Sequence, residues 1–314
     1  MKSLKSIAEK LMTADKVEIL THRYPDGDTL GSAYALCGAL QQLGKKARVI
    51  TAGEPAKNYA FLKKGVKEQD FEAEFVVSVD VAATSLLGEN EEKYKDIIDI
   101  CIDHHGTNSI SAKMKYVDAA SASAAEIVFE LLGLMTGVRL SKHIATCIYT
   151  GLSTDTGCFR YTNTTPKTHL IAAKTMAAGA PWEKINAEMF EIMSPARIEL
   201  QKLVYNTLEL KLNGKLAFIV VTLDMLKKAG VGDDEVEGLA SIPRRVEGVL
   251  MGITIREKED GVFKISVRTN EGVDASAYCS VFGGGGHVAA SGCTIEGTLD
   301  FVKESLINEA EKIL

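Results

Sequence analysis

Across the first half of the 314-residue chain, short apolar runs alternate with longer segments whose apolar residues recur every three or four positions. VEIL (17–20), ARVIT (47–51), FVVSVD (75–80) and IIDICID (97–103) are short and nearly continuous in their hydrophobicity, and they predict strands. The intervening 29–43 and 57–64 carry helical spacing. Alternation of this kind predicts an α/β fold, a mainly parallel sheet flanked by helices. Such sheets bind ligands beyond the carboxyl ends of their strands. Three of the four predicted strands run straight into acidic or histidine-containing sequence: VEILTHRYPDGD, FVVSVD and IIDICIDHH.

From about 121 to 212 the pattern becomes mostly helical. SASAAEIVFELLGLM, SKHIATCIYTGLSTD and TPKTHLIAAKTMAAG predict three helices, with Ser121, Ser141 and Thr165 as N-caps and Pro166 in a first helical position. SPARIELQKLVYNTLELKL, opened by Ser194 and Pro195, reads as a connecting helix. Strands then return in KLAFIVVT, RRVEGVLMGITIRE and VFKISVRTN, and LDFVKESLINEAEKIL closes the chain as a helix. The expected organisation is a catalytic domain over 1–190, a connecting helix over 191–214 and a smaller α/β domain over 215–314.

Composition adds bounds. A net charge of -6 argues against a protein that coats long nucleic acid, because that affinity comes from Lys and Arg neutralising phosphates. It leaves room for a small anionic substrate in a local pocket, where metal ions can supply positive charge. The six cysteines form no CxxC pair and read as reduced core residues. MKSLKSIAEKLMTADK mixes charge with hydrophobes and predicts an amphipathic opening helix rather than a signal peptide. No segment reaches about 18 uninterrupted apolar residues, so no membrane span is expected and the cytoplasm is the expected compartment.

Histidine placement carries the chemistry. His143 and His169 lie in helical patterns and read as packing residues. The other four, His22, His104, His105 and His287, fall in acidic or glycine-rich clusters. In THRYPDGD, Pro25 stiffens the loop and Gly27 permits a tight turn that points Asp26 and Asp28 to one side. The plain alternative is that Asp28 caps a helix starting at Thr29. Asp80 ends an apolar strand, where a carboxylate is costly unless it is paired, caps a helix or binds metal. Asp103-His104-His105 ends the next strand, and Asp155 sits in the small-residue turn GLSTDTGCFRY with Arg160 close behind. Asp and His on several loops along one rim of one sheet suggest a metal site. Finally FGGGGHVAASG places four glycines before His287, where backbone N–H groups can approach an anion. Arg268 ends a preceding strand as a further donor.

HRYPDGD, SVD, IDHH and STDTGCFRY, followed by SVRTN and FGGGGHVAASG, resemble the DHH/DHHA1 phosphoesterases over about residues 17–300. The stand-alone NrnA-type nanoRNases (oligoribonucleases) and pAp phosphatases are similar in length and motif order. The resemblance implies two divalent ions, typically Mn2+. His22 and Asp26 would hold one, Asp28, His104 and Asp155 the other, and Asp80 would bridge them. Four carboxylates balance two divalent charges, which fits this set. The resemblance also gives His105 and Asp80 catalytic roles, leaves Asp103 to orient a histidine, and points Arg268, His287, Arg160, Gly284, Gly285 and Gly286 at substrate phosphate.

The implied reaction is attack by a metal-activated hydroxide on the phosphorus of short RNA, a dinucleotide such as pApA, or pAp. Cyclic di-AMP phosphodiesterases share the motifs, and the sequence does not separate these substrates. A nucleotide-binding regulator without turnover is the alternative from another class, disfavoured because all six ligand positions are filled. Tyr24 departs from the smaller polar residues common at its position, and Thr269-Asn270 from the Ser usual after the arginine; both bear on substrate preference. A homodimer is expected by family analogy alone.

Overall fold

The computed structural model describes residues 3–232, 236, 238–270 and 272–314. The chain divides into two compact units, one ending at Ile192 and the other beginning at Met193. The first two residues of the predicted opening helix lie outside the described residues. The rest forms α1 (Leu4–Thr13), capped by Ser3 and burying Ile7, Ala8 and Leu11.

In the first unit, β1 (Val17–Leu20), α2 (Gly27–Gln42) and β2 (Ala47–Ile50) make a strand–helix–strand unit. A short α3 (Ala60–Lys63) leads to β3 (Phe75–Val79), and α4 (Glu91–Tyr94) precedes β4 (Ile100–Asp103) and β5 (Met114–Val117). All pairings are parallel, in the order β2-β1-β3-β4-β5. The α/β architecture expected from the sequence is therefore present. β5 was not predicted, because MKYV alternates and is only half buried at the sheet edge.

Chain order reverses between β1 and β3: β2 lies on one side of β1, and β3, β4 and β5 lie on the other. A crevice opens at such a switch point, beyond the carboxyl ends of the two strands.

Four helices follow: α5 (Ala124–Leu134), α6 (Lys142–Asp155), α7 (Pro166–Ala177) and α8 (Trp182–Asn186), the last running on as a π-helical turn, Ala187–Glu191. Ser141 and Thr165 cap α6 and α7 as expected, with Pro166 in the first turn of α7. For α5 the expectation is corrected: the cap is Ser123, not Ser121, and it accepts from the Glu126 amide. Ser121 hydrogen-bonds Asp118 instead, at 2.8 Å. Helix α2 is buried from Gly27 to Leu40 and packs closely on α6. A Cβ on Gly31 would lie 2.4 Å from the Cys147 carbonyl oxygen, so only glycine allows this approach. Leu30, Leu36 and Leu40 contribute about 1.5–3 kcal/mol each by burial in the same core.

The second unit starts with α9 (Pro195–Tyr205), capped by Ser194. Its mixed sheet runs β10-β11-β9-β8-β7-β6, with β6 (Glu209–Lys211), β7 (Leu216–Val221), β8 (Met251–Glu259), β9 (Val262–Thr269), β10 (Gly285–His287) and β11 (Ala290–Glu296). Among the described residues of this sheet, only the β7–β8 pair is parallel. α10 (Leu223–Ala229), α11 (Ala275–Ser280) and α12 (Leu299–Ala310) complete the unit. Strand β9 alternates along its length, with Phe263, Ile265 and Val267 in the core beside Val302 and Leu306 of α12.

Candidate metal centre

His22 follows β1, Asp80 follows β3, and Asp103, His104 and His105 end or follow β4, so three neighbouring strands deliver side chains to one edge. Asp26 and Asp28 come from the start of α2, and Asp155 from the last turn of α6.

The cap of α2 is Asp26, not Asp28. Its Oδ1 accepts from the Asp28 and Thr29 amides at 3.0 and 3.1 Å. The Thr29 hydroxyl donates to the Val79 carbonyl at 3.0 Å and pins this turn to the end of β3. Asp28 is buried and reaches a different helix: its two oxygens accept from the Ala124 and Ala125 amides, at 2.7 and 2.8 Å, at the start of α5. A Cβ on Gly151 would lie 2.5 Å from Ala125 Cβ and 2.8 Å from Asp28 Oδ1, so glycine in α6 leaves the room this carboxylate occupies.

Asp80 takes a left-handed backbone conformation, φ +58°, which Asp tolerates better than most residues. Its amide still pairs with the Ile102 carbonyl at 2.9 Å, so the bend begins where the ladder ends. Asp80 Oδ2 lies 3.7 Å from His22 Nε2, and Oδ1 lies 3.5 Å from both His104 Nε2 and His105 Nδ1. Oδ1 is buried and makes no hydrogen bond of good geometry. His104 Nε2 also stands 3.9 Å from Asp28 Oδ2 and from Asp155 Oδ2. Its Nδ1 faces the Ser121 carbonyl at 3.4 Å, which favours the proton on Nδ1 and a lone pair on Nε2.

Asp103 is fully buried and anchors the DHH segment. Its Oδ1 accepts from the His104 amide and from His105 Nδ1, each at 2.8 Å, and Oδ2 accepts from Asn108 Nδ2 at 2.5 Å. Asp155, expected in a turn, instead closes a 14-residue helix. Gly157, Cys158 and Phe159 then adopt left-handed φ of 56–61° in succession, a strained reversal immediately beyond this carboxylate.

Three groups bring their ligand atoms within 4.8 Å of one another: His22, Asp26 and Asp80; Asp28, His104 and Asp155; and Asp80, His104 and His105. The electrostatics are those of crowded, buried carboxylates with imidazoles among them. Burial pushes the Asp155 carboxyl up to about 8, helped by Asp28, Asp80 and Asp26. Burial, with Asp28 beside it, raises Asp80 well above the carboxylate range, and burial also raises Asp28. Burial pulls the His22 imidazole down, but hydrogen bonding to Asp26 and Asp80 outweighs it and holds the group at about 10. The Asp103 contact raises His105 to about 9. A divalent cation relieves all of these at once, and the lone oxygen of Asp80 gives it a ready ligand. The residues therefore fit metal.

Arg160 lies beyond this cluster in sequence, with its Nε donating to the Gly157 carbonyl at 2.6 Å and its guanidinium 5.7 Å from the Phe190 ring centroid. In the second unit, Arg268 of β9 and His287 of β10 are both register partners of Ala290 in β11. The two side chains thus stand in one row on one face of the sheet, two strand spacings or about 9–10 Å apart. The glycine run is partly a strand, since Gly285 and Gly286 pair with β11 at the sheet edge. Gly284 and Gly286 have packing reasons: a Cβ would lie 2.2 Å from the Gly292 carbonyl oxygen and 2.7 Å from that of Ala290, respectively. Gly285 has open space around it.

Sequence reasoning missed Asn108, the Ser121 carbonyl and the start of α5. None has a ligand-like signature: Asn108 enters through its side-chain bond to Asp103, the Ser121 carbonyl through the backbone, and the start of α5 through contacts distant in sequence.

Comparison with known proteins identifies the family. The family model described as DHH family, N-terminal domain, matches residues 16–152, and the DHHA1 domain model matches 213–314. A bifunctional oligoribonuclease and PAP phosphatase NrnA of Thermus thermophilus is 33% identical over 94% of this chain and 89% of its own length. A probable protein of the same description from Streptococcus mutans is 29% identical over 93% of each chain. The crystal structure of an exopolyphosphatase-related protein from Bacteroides fragilis superposes with a TM-score of 0.88 at 25% identity, covering 98% of this chain and 96% of that one.

Proposed function

The chain belongs to the DHH family and carries a C-terminal DHHA1 domain, and from that premise we propose that it hydrolyses short oligoribonucleotides, pApA among them, and the 3′-phosphate of pAp. One observation carries the reading. Six side chains from four stretches of chain converge on the carboxyl edge of the parallel sheet, in sets whose ligand atoms lie within 4.8 Å. His22, Asp26 and Asp80 would hold one divalent ion, and Asp28, Asp80, His104 and Asp155 a second, with Asp80 shared. Mixed carboxylate and imidazole donors suit Mn2+. Such ions, when bound, supply a water deprotonated near neutral pH and positive charge at the attacked phosphate.

The protein's own groups do the positioning. Asp103 holds His105 Nδ1, which leaves Nε2 as the atom that can meet a phosphate oxygen. The Asp103 carboxylate favours the imidazolium form of His105, which would act as a donor to charge developing on that oxygen. The left-handed turn at Asp80 directs its carboxylate toward both histidine-bearing loops. Arg268 and His287, in one row, are assigned to substrate phosphate beside the Gly284-Gly285-Gly286 run, whose Gly284 N–H is already given to the Cys279 carbonyl, and Arg160 is assigned as a further cation.

The test is a substrate panel of pAp, pApA, cyclic di-AMP and RNAs of graded length, each with Mn2+ and again after chelation. Metal-dependent turnover of pApA and pAp is expected. Mn-loaded protein that turns over neither would overturn the reading in favour of a nucleotide-binding regulator. Replacing Arg268 with Ala is expected to raise KM more than it lowers kcat.

A further inference from the structure

Tyr24 lies in the loop between His22 and Asp26 and is 68% exposed, unlike Tyr34, Tyr94, Tyr149 and Tyr278, which are buried. A ring of this size in water on a catalytic loop has no packing role to explain it. The loop beneath it is nonetheless fixed. Pro25 restricts the backbone on one side, and Asp26 caps α2. On the other side the Arg23 amide donates to the Leu86 carbonyl at 2.6 Å. Arg23 Cβ also packs against Gly88, where an added Cβ would come within 3.0 Å of it. The Arg23 guanidinium stands over the Tyr24 ring, 4.9 Å from its centroid.

One residue separates Tyr24 from His22 and one separates it from Asp26, so its Cα lies within about 7.6 Å of either ligand's Cα. A phosphoester held by those ligands would therefore place an attached nucleoside beside the ring. We propose that Tyr24, backed by Arg23, is a stacking platform for a nucleobase adjoining the scissile phosphate, and so a substrate-positioning residue. Base–aromatic stacking tolerates any base and needs only an exposed face, which suits short RNA of mixed sequence. The Arg23 cation adds to the attraction of the stack. This inference rests on the phosphoesterase reading above.

The test is a cycle of two deletions: the ring, by Tyr24→Ala, and the base, by a pApA analogue abasic at either nucleotide. Each deletion alone is expected to raise KM by about tenfold, with kcat changing much less. Together they are expected to cost no more than either alone, because they break the same contact. Tyr24→Trp should restore the affinity that Tyr24→Ala loses. Additive effects of the two deletions, or an unchanged KM in Tyr24→Ala, would overturn the proposal. Calorimetric affinities for pApA and its abasic analogues, measured without turnover on wild type and Tyr24→Ala, decide the platform separately. If wild type fails to hydrolyse pApA, the phosphoesterase reading fails. The platform then stands or falls on whether losing the ring weakens binding of the base-bearing ligand alone.

Discussion

The Asp28 carboxylate accepts a hydrogen bond from the Ala124 amide at 2.7 Å, across 96 residues of chain. Its other oxygen takes the Ala125 amide, so a residue of the first motif satisfies two of the orphan donors at the start of α5. Asp28→Ala leaves two buried N–H groups without partners, each costing about 1–3 kcal/mol. The expected result is a lower unfolding free energy as well as lost activity, read by urea denaturation of the metal-free protein. Unchanged stability would mean the α5 contact matters little.

Asp80 should behave in the opposite way. Its oxygen Oδ1 is buried and lacks a well-formed hydrogen bond, and it is crowded by Asp28. Asn tolerates the left-handed φ that Asp80 adopts. Asp80→Asn is expected to lower turnover by more than about 100-fold, beyond what losing a merely supporting residue costs. The same change should raise the melting temperature of the metal-free protein. A loss of stability alongside the loss of turnover would count against a strained, function-bearing Asp80.

Asp103 supports His105. Asp103→Asn is expected to lower activity by about 10–100-fold. The His105 imidazole should also fall from about 9 toward its usual 6.5, as followed by NMR titration of the metal-free protein. An unmoved His105 titration would remove Asp103 from this role.

Gly151 tests the packing behind the site without touching a ligand's chemistry. Gly151→Ala places a methyl 2.8 Å from Asp28 Oδ1 and 2.5 Å from Ala125 Cβ. Overpacking of this kind costs about 1–3 kcal/mol. The expected outcome is weaker Mn2+ binding in a calorimetric titration, since Asp28 must shift. Wild-type affinity would show that the site adjusts.

The pH dependence has a definite sign. Asp155 is raised from 3.8 to about 8, with Asp80 and Asp28 also raised, while His22 and His105 rise from 6.5 to about 10 and about 9. The folded chain therefore holds protons that the unfolded chain has released, and stability falls as pH rises through this range. Asp26 and Asp103 are lowered instead, and their contribution is lost only in acid, below the ordinary carboxylate value. Metal-free protein is expected to lose melting temperature steadily from pH 5 to about pH 9. Mn2+ binds the deprotonated ligands, so its stabilising effect should be larger at pH 8 than at pH 5, reaching about 2.7 kcal/mol at 100 times Kd. A metal effect independent of pH would contradict the ligand set.

Sequence by itself determined the parallel strands β1 to β4, the main helices and the identity of the polar residues at strand ends. Those features are local: apolar runs fix strands, and motifs such as HRYPDGD and DHH place their own neighbours. The sequence left Asp103 to orient a histidine without saying which, and the structure gives it His105. Edge strand β5 was not legible, because alternation over four half-buried residues carries little signal.

Only the tertiary structure decided which aspartate caps α2, and that Asp28 instead accepts from the first two amides of α5, which Ser123 caps. It also showed that Asp155 closes a helix, and that Asp80 belongs to one set of ligand atoms with His22 and to another with His104. These depend on packing of α2 against α6 and on the order of strands at the switch point, which bring together residues as far apart in sequence as Asp28 and Asp155. HRYPDGD gives the ligands, and the fold gives each its neighbour.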